Sequence, residues 1–421
     1  MARRNVFAAG AALVAALSVS GFVTGAHAQE TADLRVWFMQ DSVSDKAAAW
    51  LSSEFAAENP GSTLTVEVQP WTDIVSRLLT SLASKSETPD IVEIGNTKST
   101  TFASVGALAD LTDMYDQLGG DSLIPSFVTA GTVDGKIYAY PLYAGTSVVF
   151  YRKDLFEKAG IKVPATLDEL VAAAATVEAA NPDGTEGFKG IYFPVVDTHG
   201  LESWLFSHDA NYARQVDGKW VSGLTEPGAH AALEQLQKLW TNSSLGALDA
   251  RETATHPWVP YNNGEVAIFS FRAFAQQNIS DELKAVTGTM ALPPVEAGGQ
   301  SHQFLGGSNV AIAANSSHQE LAKKALTLIM SKEFMTQLAQ DGGWVPGNTT
   351  FADAIPDGLV PAQLQQQIAQ TSGLTPAAKN WAIVEGNNLP IDLYTGVAKG
   401  ENIDDVTARI GAGIEKVLNT D

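Results

Sequence analysis

Short apolar segments alternate with amphipathic ones along the first hundred positions of the sequence that follow its apolar start. The segments LRVWFM (Leu34 to Met39), LTVEV (Leu64 to Val68) and DIVEI (Asp90 to Ile94) have the length and apolar content of strands. Between them, apolar residues recur at helical spacing in stretches that begin near Lys46 and near Ile74. Strands joined by helical crossovers form parallel sheets, so this pattern predicts an α/β domain that binds ligands at the carboxyl ends of its strands.

The same alternation resumes in the second half of the chain. Thr166 and Glu169 have the spacing of a capping box at the start of a helix, and Ser317 and Glu320 repeat that spacing further on. The segment EVAIFSF (Glu265 to Phe271) is typical of a buried strand. A chain of 421 residues is long enough for two hydrophobic cores, so we expect two domains.

The segment QFLGGSNVAIAANSS (Gln303 to Ser317) contains a predicted strand, Val310 to Ala314, with an unusual approach to it. Two glycines, the second being Gly307, are followed by Ser308 and Asn309. Glycine allows a backbone to come close to a ligand, and short polar side chains offer hydrogen bonds. A plain turn before a strand has the same composition, so the pattern leaves both interpretations open.

The first 28 residues differ in kind from the rest. Arg3 and Arg4 precede an uncharged run from Asn5 to Gly25, and AHA follows, which predicts a secretory signal peptide and a mature chain that begins near Gln29. The sequence contains no cysteine, which excludes disulfides, thiol catalysis and a lipid attached through cysteine. We therefore expect a protein that diffuses freely in the periplasm, without a lipid anchor.

Charge and motifs exclude several functions. The formal net charge is −21 at pH 7, which argues against nucleic acid and anionic membranes as partners. GGSNV lacks the final glycine of a Gly-x-Ser-x-Gly motif, and no His-Glu-x-x-His occurs. Asp197, His199, His208 and Asp209 are close in sequence, but their spacing fits no standard metal-ligand pattern. The sequence thus predicts no catalytic residues, no metal and no cofactor.

Four longer segments, taken in order, resemble one family. They are PLYAGTSVVFYRKDLFEKAGI, NNGEVAIFSFRAF, FLGGSNVAIAANSSHQELAKKALTLIMSKEFMTQLAQDGGWVPGN and NWAIVE. Together they resemble the extracellular solute-binding proteins of ATP-binding-cassette (ABC) importers, in the carbohydrate-type group that includes maltodextrin and chito-oligosaccharide binders. The resemblance implies an α/β, two-lobe periplasmic-binding-protein fold (type II-like), with a ligand cleft between lobes joined by hinge segments and closed by hinge motion.

On this resemblance the chain divides into three parts. We expect a signal peptide over 1–28, an N-terminal lobe from 29–140 plus 294–343, and a C-terminal lobe from 141–293 plus 344–421. The chain would cross between lobes near Tyr140 to Tyr143, Leu292 to Val295 and Gly342 to Asn348.

The function that the resemblance implies is capture of a di- or oligosaccharide by a monomer and its delivery to the permease of an ABC importer, without catalysis. One alternative is a glycerophosphodiester, a polyol or an acidic sugar as the ligand. Another is a secreted glycan-active enzyme, and a third is a subunit that presents its ligand to a chemotaxis or sensor receptor.

A sugar site combines flat aromatic side chains with polar groups that fix the direction of each hydroxyl. Polar residues that follow predicted strands suit such a site, although they are also typical of ordinary turns. Trp71 and Trp381 are further candidates, whereas Trp37, Trp50 and Trp240 fit the core. Arg272, which follows a predicted strand, would instead favour a ligand that carries a carboxylate or a phosphate. The expected ligand-binding residues are Gln40, Asp41, Asn96, Thr97, Tyr143, Trp204, Trp258, Arg272, Gly307, Ser308, Asn309 and Trp344.

Overall fold

A computed structural model describes residues 1–2, 31–71, 73–248 and 256–420 of the chain. The predicted signal peptide lies almost entirely outside the described residues. The strands are β1 (Asp33–Met39), β2 (Thr63–Gln69), β3 (Ile91–Gly95), β4 (Thr132–Val133), β5 (Lys136–Ile137), β6 (Tyr140–Arg152), β7 (Lys189–Tyr192), β8 (Ala213–Val216), β9 (Lys219–Ser222), β10 (Ser244–Leu245), β11 (Val266–Arg272), β12 (Thr287–Met290), β13 (Leu305–Ile312) and β14 (Val345–Pro346).

The helices connect the strands along the chain, and several of them pack on the sheet. They are α1 (Asp45–Glu58), α2 (Ile74–Ala83), α3 (Ser99–Ser104), α4 (Pro125–Ala130), α5 (Lys153–Lys158), α6 (Leu167–Ala180), α7 (Thr198–Ser207), α8 (Pro227–Ser243), α9 (Trp258–Asn262), α10 (Asp281–Lys284), α11 (Gln319–Ile329), α12 (Lys332–Gly342), α13 (Ala362–Gln370), α14 (Trp381–Gly386), α15 (Leu389–Ala398) and α16 (Ile403–Leu418). None of the helices in the described ranges combines the length and the apolar character that a bilayer span requires.

One mixed sheet runs through the described part of the molecule in the order β10-β7-β11-β6-β13-β3-β1-β2, with β12 and β14 also paired to β6. β1 is parallel to both β2 and β3, as the alternating pattern predicts. The long strand β6 pairs with β13 over Tyr140 to Thr146 and with β11 over Ser147 to Tyr151. β6 therefore carries the chain from one half of the sheet to the other.

The hydrophobic residues gather on both halves of this sheet. We call the part around β1, β2, β3 and α11 the first lobe, since their side chains share two buried clusters. The part around α6, α7, α8, α15 and α16 is the second lobe, which has a larger cluster of its own. A further cluster joins Phe127 and Leu305 to Phe269 and Val345, so the junction of the two halves of the sheet also has an apolar core. The expected lobe boundaries stay a prediction.

Local signals in the sequence were partly right. Thr166 caps α6 by accepting a hydrogen bond from the Glu169 amide at 3.2 Å, as expected. The predicted cap of α11 by Ser317 is wrong, because the helix begins at Gln319 and the Oγ of Ser316 accepts the His318 amide instead. The strand expected from Val310 onward begins earlier, at Leu305, and includes both glycines.

Candidate functional site

A cavity of about 300 Å³ opens between the two lobes at the carboxyl ends of β1 and β3. Ligands of open α/β sheets bind at such strand ends. Both lobes contribute to its wall, so the cavity is complete only when the lobes are together. We call it the Trp71 cavity, and it is lined by Met39, Trp71, Ile74, Val75, Leu78, Ile94, Gly95, Thr97, Lys98, Phe102, His199 and Glu385.

Trp71 gives this cavity a flat aromatic surface. Its side chain is 45% exposed, which is high for a tryptophan in a folded domain. The indole Nε1 donates a hydrogen bond to the backbone oxygen of Gln40 at 3.1 Å, which fixes the ring over the end of β1. A Cβ at Gly95 would contact the ring at 3.8 Å. The ring is thus held in place while it remains accessible to a ligand.

An ion pair crosses the cavity between the lobes. The Lys98 ammonium, directly after β3, contacts the Glu385 carboxylate on α14. Glu385 also accepts a hydrogen bond from Nε1 of the buried Trp381 at 2.9 Å, so its position is fixed from behind. Burial lowers the pKa of Lys98 to about 8, and the Glu202 carboxylate acts in the opposite direction. At neutral pH this part of the cavity offers both a donor and an acceptor to ligand hydroxyls.

His199 of α7 also lines the cavity, and it is paired with the buried Glu202 of the same helix. Nδ1 of His199 is 2.8 Å from Oε1 of Glu202, and the ring of His199 stacks on Phe304 with centroids 4.2 Å apart. Glu202 is buried and also accepts a hydrogen bond from the Thr375 hydroxyl at 3.0 Å. Burial raises the pKa of Glu202, while His199 and Thr375 oppose that shift. Since Nδ1 is engaged by the carboxylate, Nε2 is the ring nitrogen left for a ligand.

The polar residues expected after β1 and β3 have different roles in the structure. Thr97 lines the Trp71 cavity. Gln40 contributes its backbone oxygen to Trp71. Asp41 is an exposed turn residue with a φ of 65°, and it does not line the cavity. Asn96 is buried, and its Nδ2 donates a hydrogen bond to the backbone oxygen of Leu305 at 3.0 Å. Of these four, only Thr97 presents its side chain to the cavity.

Tyr143 and Ser308 lie together in a buried network around Glu93. The Tyr143 hydroxyl donates to Glu93 Oε1 at 2.6 Å, the Ser42 hydroxyl donates to the same oxygen at 2.8 Å, and the Met39 amide donates to Oε2 at 2.8 Å. The Ser308 hydroxyl donates to the Tyr143 oxygen at 3.2 Å. The network joins β1, β3, β6 and β13 below the cleft, and its side chains are buried from solvent.

The two residues beside Ser308 serve the junction of strands. Asn309 is buried, and its Nδ2 donates to the backbone oxygen of Phe127 at 3.0 Å. Gly307 has a φ of 145°, and a Cβ there would collide with the backbone oxygen of Tyr143. Gly307 therefore allows β13 to pack closely against β6. It does not bring the backbone close to a ligand at the surface.

The predicted aromatic residues lie away from the Trp71 cavity. Trp204 is completely buried in the core of the second lobe, so its ring offers no surface to a ligand in this conformation. Trp258 is half-buried and packs edge-on against Phe271. Trp344 lies at a predicted crossing with its ring centroid 4.5 Å from that of Tyr143.

Arg272 is the last residue of β11. Its guanidinium is 5.2 Å from the ring centroid of Phe271, and it makes no hydrogen bond or ion pair with the described residues. It is absent from the lining of the Trp71 cavity. An arginine grip on an acidic ligand in that cavity therefore finds no support in this arrangement.

Several residues of the cavity were not anticipated from the sequence. In the sequence, His199 stands out only in the group with Asp197, His208 and Asp209. In the structure it pairs with Glu202, while Asp197 caps α7 and His208 bonds the Trp204 carbonyl. Across the described ranges, no three His, Asp or Glu side chains come together as a metal site. Lys98 follows the β3 turn and could have been found by the strand-end argument. Glu385 could not, because its position depends on how α14 meets the other lobe.

Comparison with known proteins identifies the class. Residues 50–382 match the family model described as bacterial extracellular solute-binding protein, and the chain belongs to this family. The sequence is 30% identical over 403 residues to the diacetylchitobiose binding protein DasA of Streptomyces coelicolor, covering 94% of this chain and 92% of that protein. The family resemblance expected from the four segments is confirmed.

Two further comparisons give a more distant relative and a solved structure of similar fold. The mannitol-binding protein of Pseudomonas aeruginosa is 26% identical over 302 residues, covering 70% of this chain and 68% of that protein. The solved structure of the sugar-binding protein MalE from Xanthomonas citri has a TM-score of 0.78 at 20% identity and covers 92% of this chain and 97% of that chain. The two-lobe periplasmic-binding-protein fold is thus confirmed.

Proposed function

We propose that this protein captures a neutral di- or oligosaccharide in the Trp71 cavity and delivers it to the permease of an ABC importer. The observation that carries the proposal is Trp71, an exposed and fixed aromatic ring that faces polar groups from both lobes. The C–H faces of sugars pack on such rings, and their hydroxyls need donors and acceptors in fixed directions. The diacetylchitobiose binding of DasA makes an N-acetylated disaccharide the first ligand to test.

Closure of the lobes provides the mechanism. Thr97 and Lys98 come from the first lobe, whereas His199 and Glu385 come from the second. A ligand that contacts both sets is bound tightly only when the lobes are together, so it shifts the population toward the closed form. The closed form would then be the one that the permease recognises. We further propose that the protein acts as a monomer in the periplasm after removal of its signal peptide.

A polyol is the second candidate ligand, supported by the similarity to a mannitol-binding protein. Polyols carry the same hydroxyls but have no ring face to pack on Trp71. An acidic ligand is less well supported, since it would have to compete with Glu385 for Lys98. Raised salt would weaken the binding of such an acidic ligand and leave a neutral sugar nearly unaffected.

Thermal unfolding of the mature protein, followed by tryptophan fluorescence, tests the proposal. The panel contains diacetylchitobiose, maltose, maltotetraose, mannitol, sugar acids and glycerophosphodiesters. We expect a saturable rise in Tm with one related set of neutral sugars, because a ligand selective for the folded state stabilises it by mass action. A rise with acidic compounds alone would overturn the proposal. Release of product from an oligosaccharide would indicate an enzyme instead.

A further inference from the structure

A second cavity lies between the lobes, on the other face of α3. Lys98 and Phe102 line the Trp71 cavity, whereas Thr100 and Ser104 line the second one. Residues two apart on a helix point in nearly opposite directions, so this short helix separates the two spaces. The Thr101 hydroxyl donates to the backbone oxygen of Lys379 at 2.9 Å. This hydrogen bond joins α3 to the second lobe between the two cavities.

This second space is larger and more open than the first, with a volume of about 770 Å³ compared with about 300 Å³. The first lobe contributes α3 and the β4–β5 turn with Asp134. The second lobe contributes Gln215, Trp220 and Lys379. We call it the Trp220 cavity. Because both lobes line it, a molecule bound there would also favour the closed form.

Four polar side chains line the exposed part of the Trp220 cavity and make no hydrogen bond or ion pair with a described residue. They are the Ser104 hydroxyl, the Asp134 carboxylate, the Gln215 amide and the Lys379 ammonium. By contrast, Thr129 and Thr132 in the same wall donate to backbone oxygens of α4. The unpaired groups include one acid, one base and two neutral groups. Such a mixture suits a neutral ligand with many hydroxyls better than an ion.

Trp220 supplies the aromatic component. Its backbone amide donates to Oδ1 of Asn419 at 2.9 Å, and its backbone oxygen accepts from Nδ2 of the same residue at 2.8 Å. The ring is half-buried against the core of the second lobe and still lines the cavity. As at Trp71, a flat ring lies beside polar groups that both lobes contribute.

We infer that the Trp220 cavity is a second saccharide-binding site, separated from the Trp71 cavity by α3. The inference rests on the proposed function, because it assigns the same ligand class to another place. A sugar in this site would contact Trp220 and the unpaired groups of both lobes, and it would support closure together with the first ligand.

The test uses ¹⁹F spectra of the full mature protein labelled with 5-fluorotryptophan. Substitutions Trp71→Phe and Trp220→Phe assign the two signals among the nine tryptophans. Diacetylchitobiose, maltose and maltotetraose are titrated separately to millimolar concentration. We expect the Trp220 signal to shift saturably with at least one of them, with a midpoint different from that of the Trp71 signal. A shift of the Trp71 signal alone, with every sugar, would overturn the inference and leave the proposed function standing.

If neither signal responds to any saccharide, the proposed function itself fails. Calorimetry on variants provides the matched control. Trp220→Ala should remove the second binding event, or weaken it by roughly a factor of five or more, and leave the first unchanged. Trp71→Ala should do the reverse. If Trp220→Ala leaves both events unchanged while the protein remains folded, the second site is not at Trp220.

Discussion

Lys98 of the first lobe and Glu385 of the second form an ion pair across the cleft, and Trp381 holds the carboxylate from behind. The two side chains are 21% and 26% exposed, so they are neither free in solvent nor fully buried. A pair in this position links the lobes only when they are together. In the proposed mechanism, it contributes to closure and also borders the ligand.

Lys98→Met should weaken saccharide binding, because it leaves the Glu385 carboxylate half-buried without its cation. We expect a loss of about 1–2 kcal/mol, a factor of roughly 5–30 in Kd, which lies between the effects of exposed and buried pairs. Calorimetric titration measures it. The double variant Lys98→Met/Glu385→Gln should lose less than the sum of the single losses. Strict additivity would show that the pair does not act across the cleft.

Trp204→Ala should destabilise the fold rather than impair the binding site. The ring is completely buried among second-lobe residues, so its removal leaves a cavity that costs about 3–5 kcal/mol. A lower urea midpoint, with Kd for the saccharide unchanged at low urea, is the expected result. Trp204→Phe is the matched control. Trp204→Phe should lower the free energy of unfolding by less than Trp204→Ala. It keeps an aromatic ring, and no hydrogen bond is lost because the indole Nε1 has no partner in the described structure. A large loss of affinity with normal stability would instead place Trp204 in the site.

Glu93→Gln should change the pH dependence of stability. Burial raises the pKa of Glu93 despite hydrogen bonds from Met39, Tyr143 and Ser42. The folded protein then binds this proton more tightly than the unfolded chain does. The stabilising effect is full below the unfolded pKa and is lost as pH rises through the raised folded value. The Tm of the wild type should thus fall relative to the variant as pH rises from the unfolded value of 4.5 through the raised folded value. A wild-type Tm that rises relative to the variant would contradict this.

Gly307→Ala should destabilise the junction of β13 and β6. The residue has a φ of 145°, and the new Cβ would collide with the backbone oxygen of Tyr143. We expect a cost of at least about 1–3 kcal/mol in the free energy of unfolding, measured with urea. Gly135→Ala is a useful comparison, because its φ of 75° is also positive but its Cβ would meet no atom within 4 Å. Equal costs for both would show that the backbone contact is unimportant.

The sequence predicts most of the framework for physical reasons that act locally. Helical spacing and the Thr166 cap depend on residues within one or two turns of each other, and both are found in the structure. Parallel pairing of β1 with β2 and β3 follows from the crossovers between them. The sequence predicts a strand from Val310 onward, but it does not predict the antiparallel pairing of β13, since its partners β3 and β6 are more than one hundred residues away.

The site was harder to predict because it depends on contacts between lobes. The sequence predicts Thr97 as a ligand-binding residue at a strand end and gives Trp71 as a further candidate. Trp204 and Trp71 are both aromatic residues near polar ones in sequence, yet one is fully buried and the other is 45% exposed. The difference in exposure arises because α7, which carries Trp204, packs on the core of the second lobe. Glu385 reaches the cavity through the position of α14, which no local pattern reveals.

The most direct test of the central claim is calorimetric titration of the mature protein and of Trp71→Ala with the saccharide that raises Tm most. If Trp71 is the aromatic surface of the site, the wild type binds saturably, and Trp71→Ala weakens that binding by about 1–3 kcal/mol. Trp71→Phe, which keeps a smaller ring, should lie between the two. Equal affinity in all three proteins would contradict the assignment of ligand capture to the Trp71 cavity.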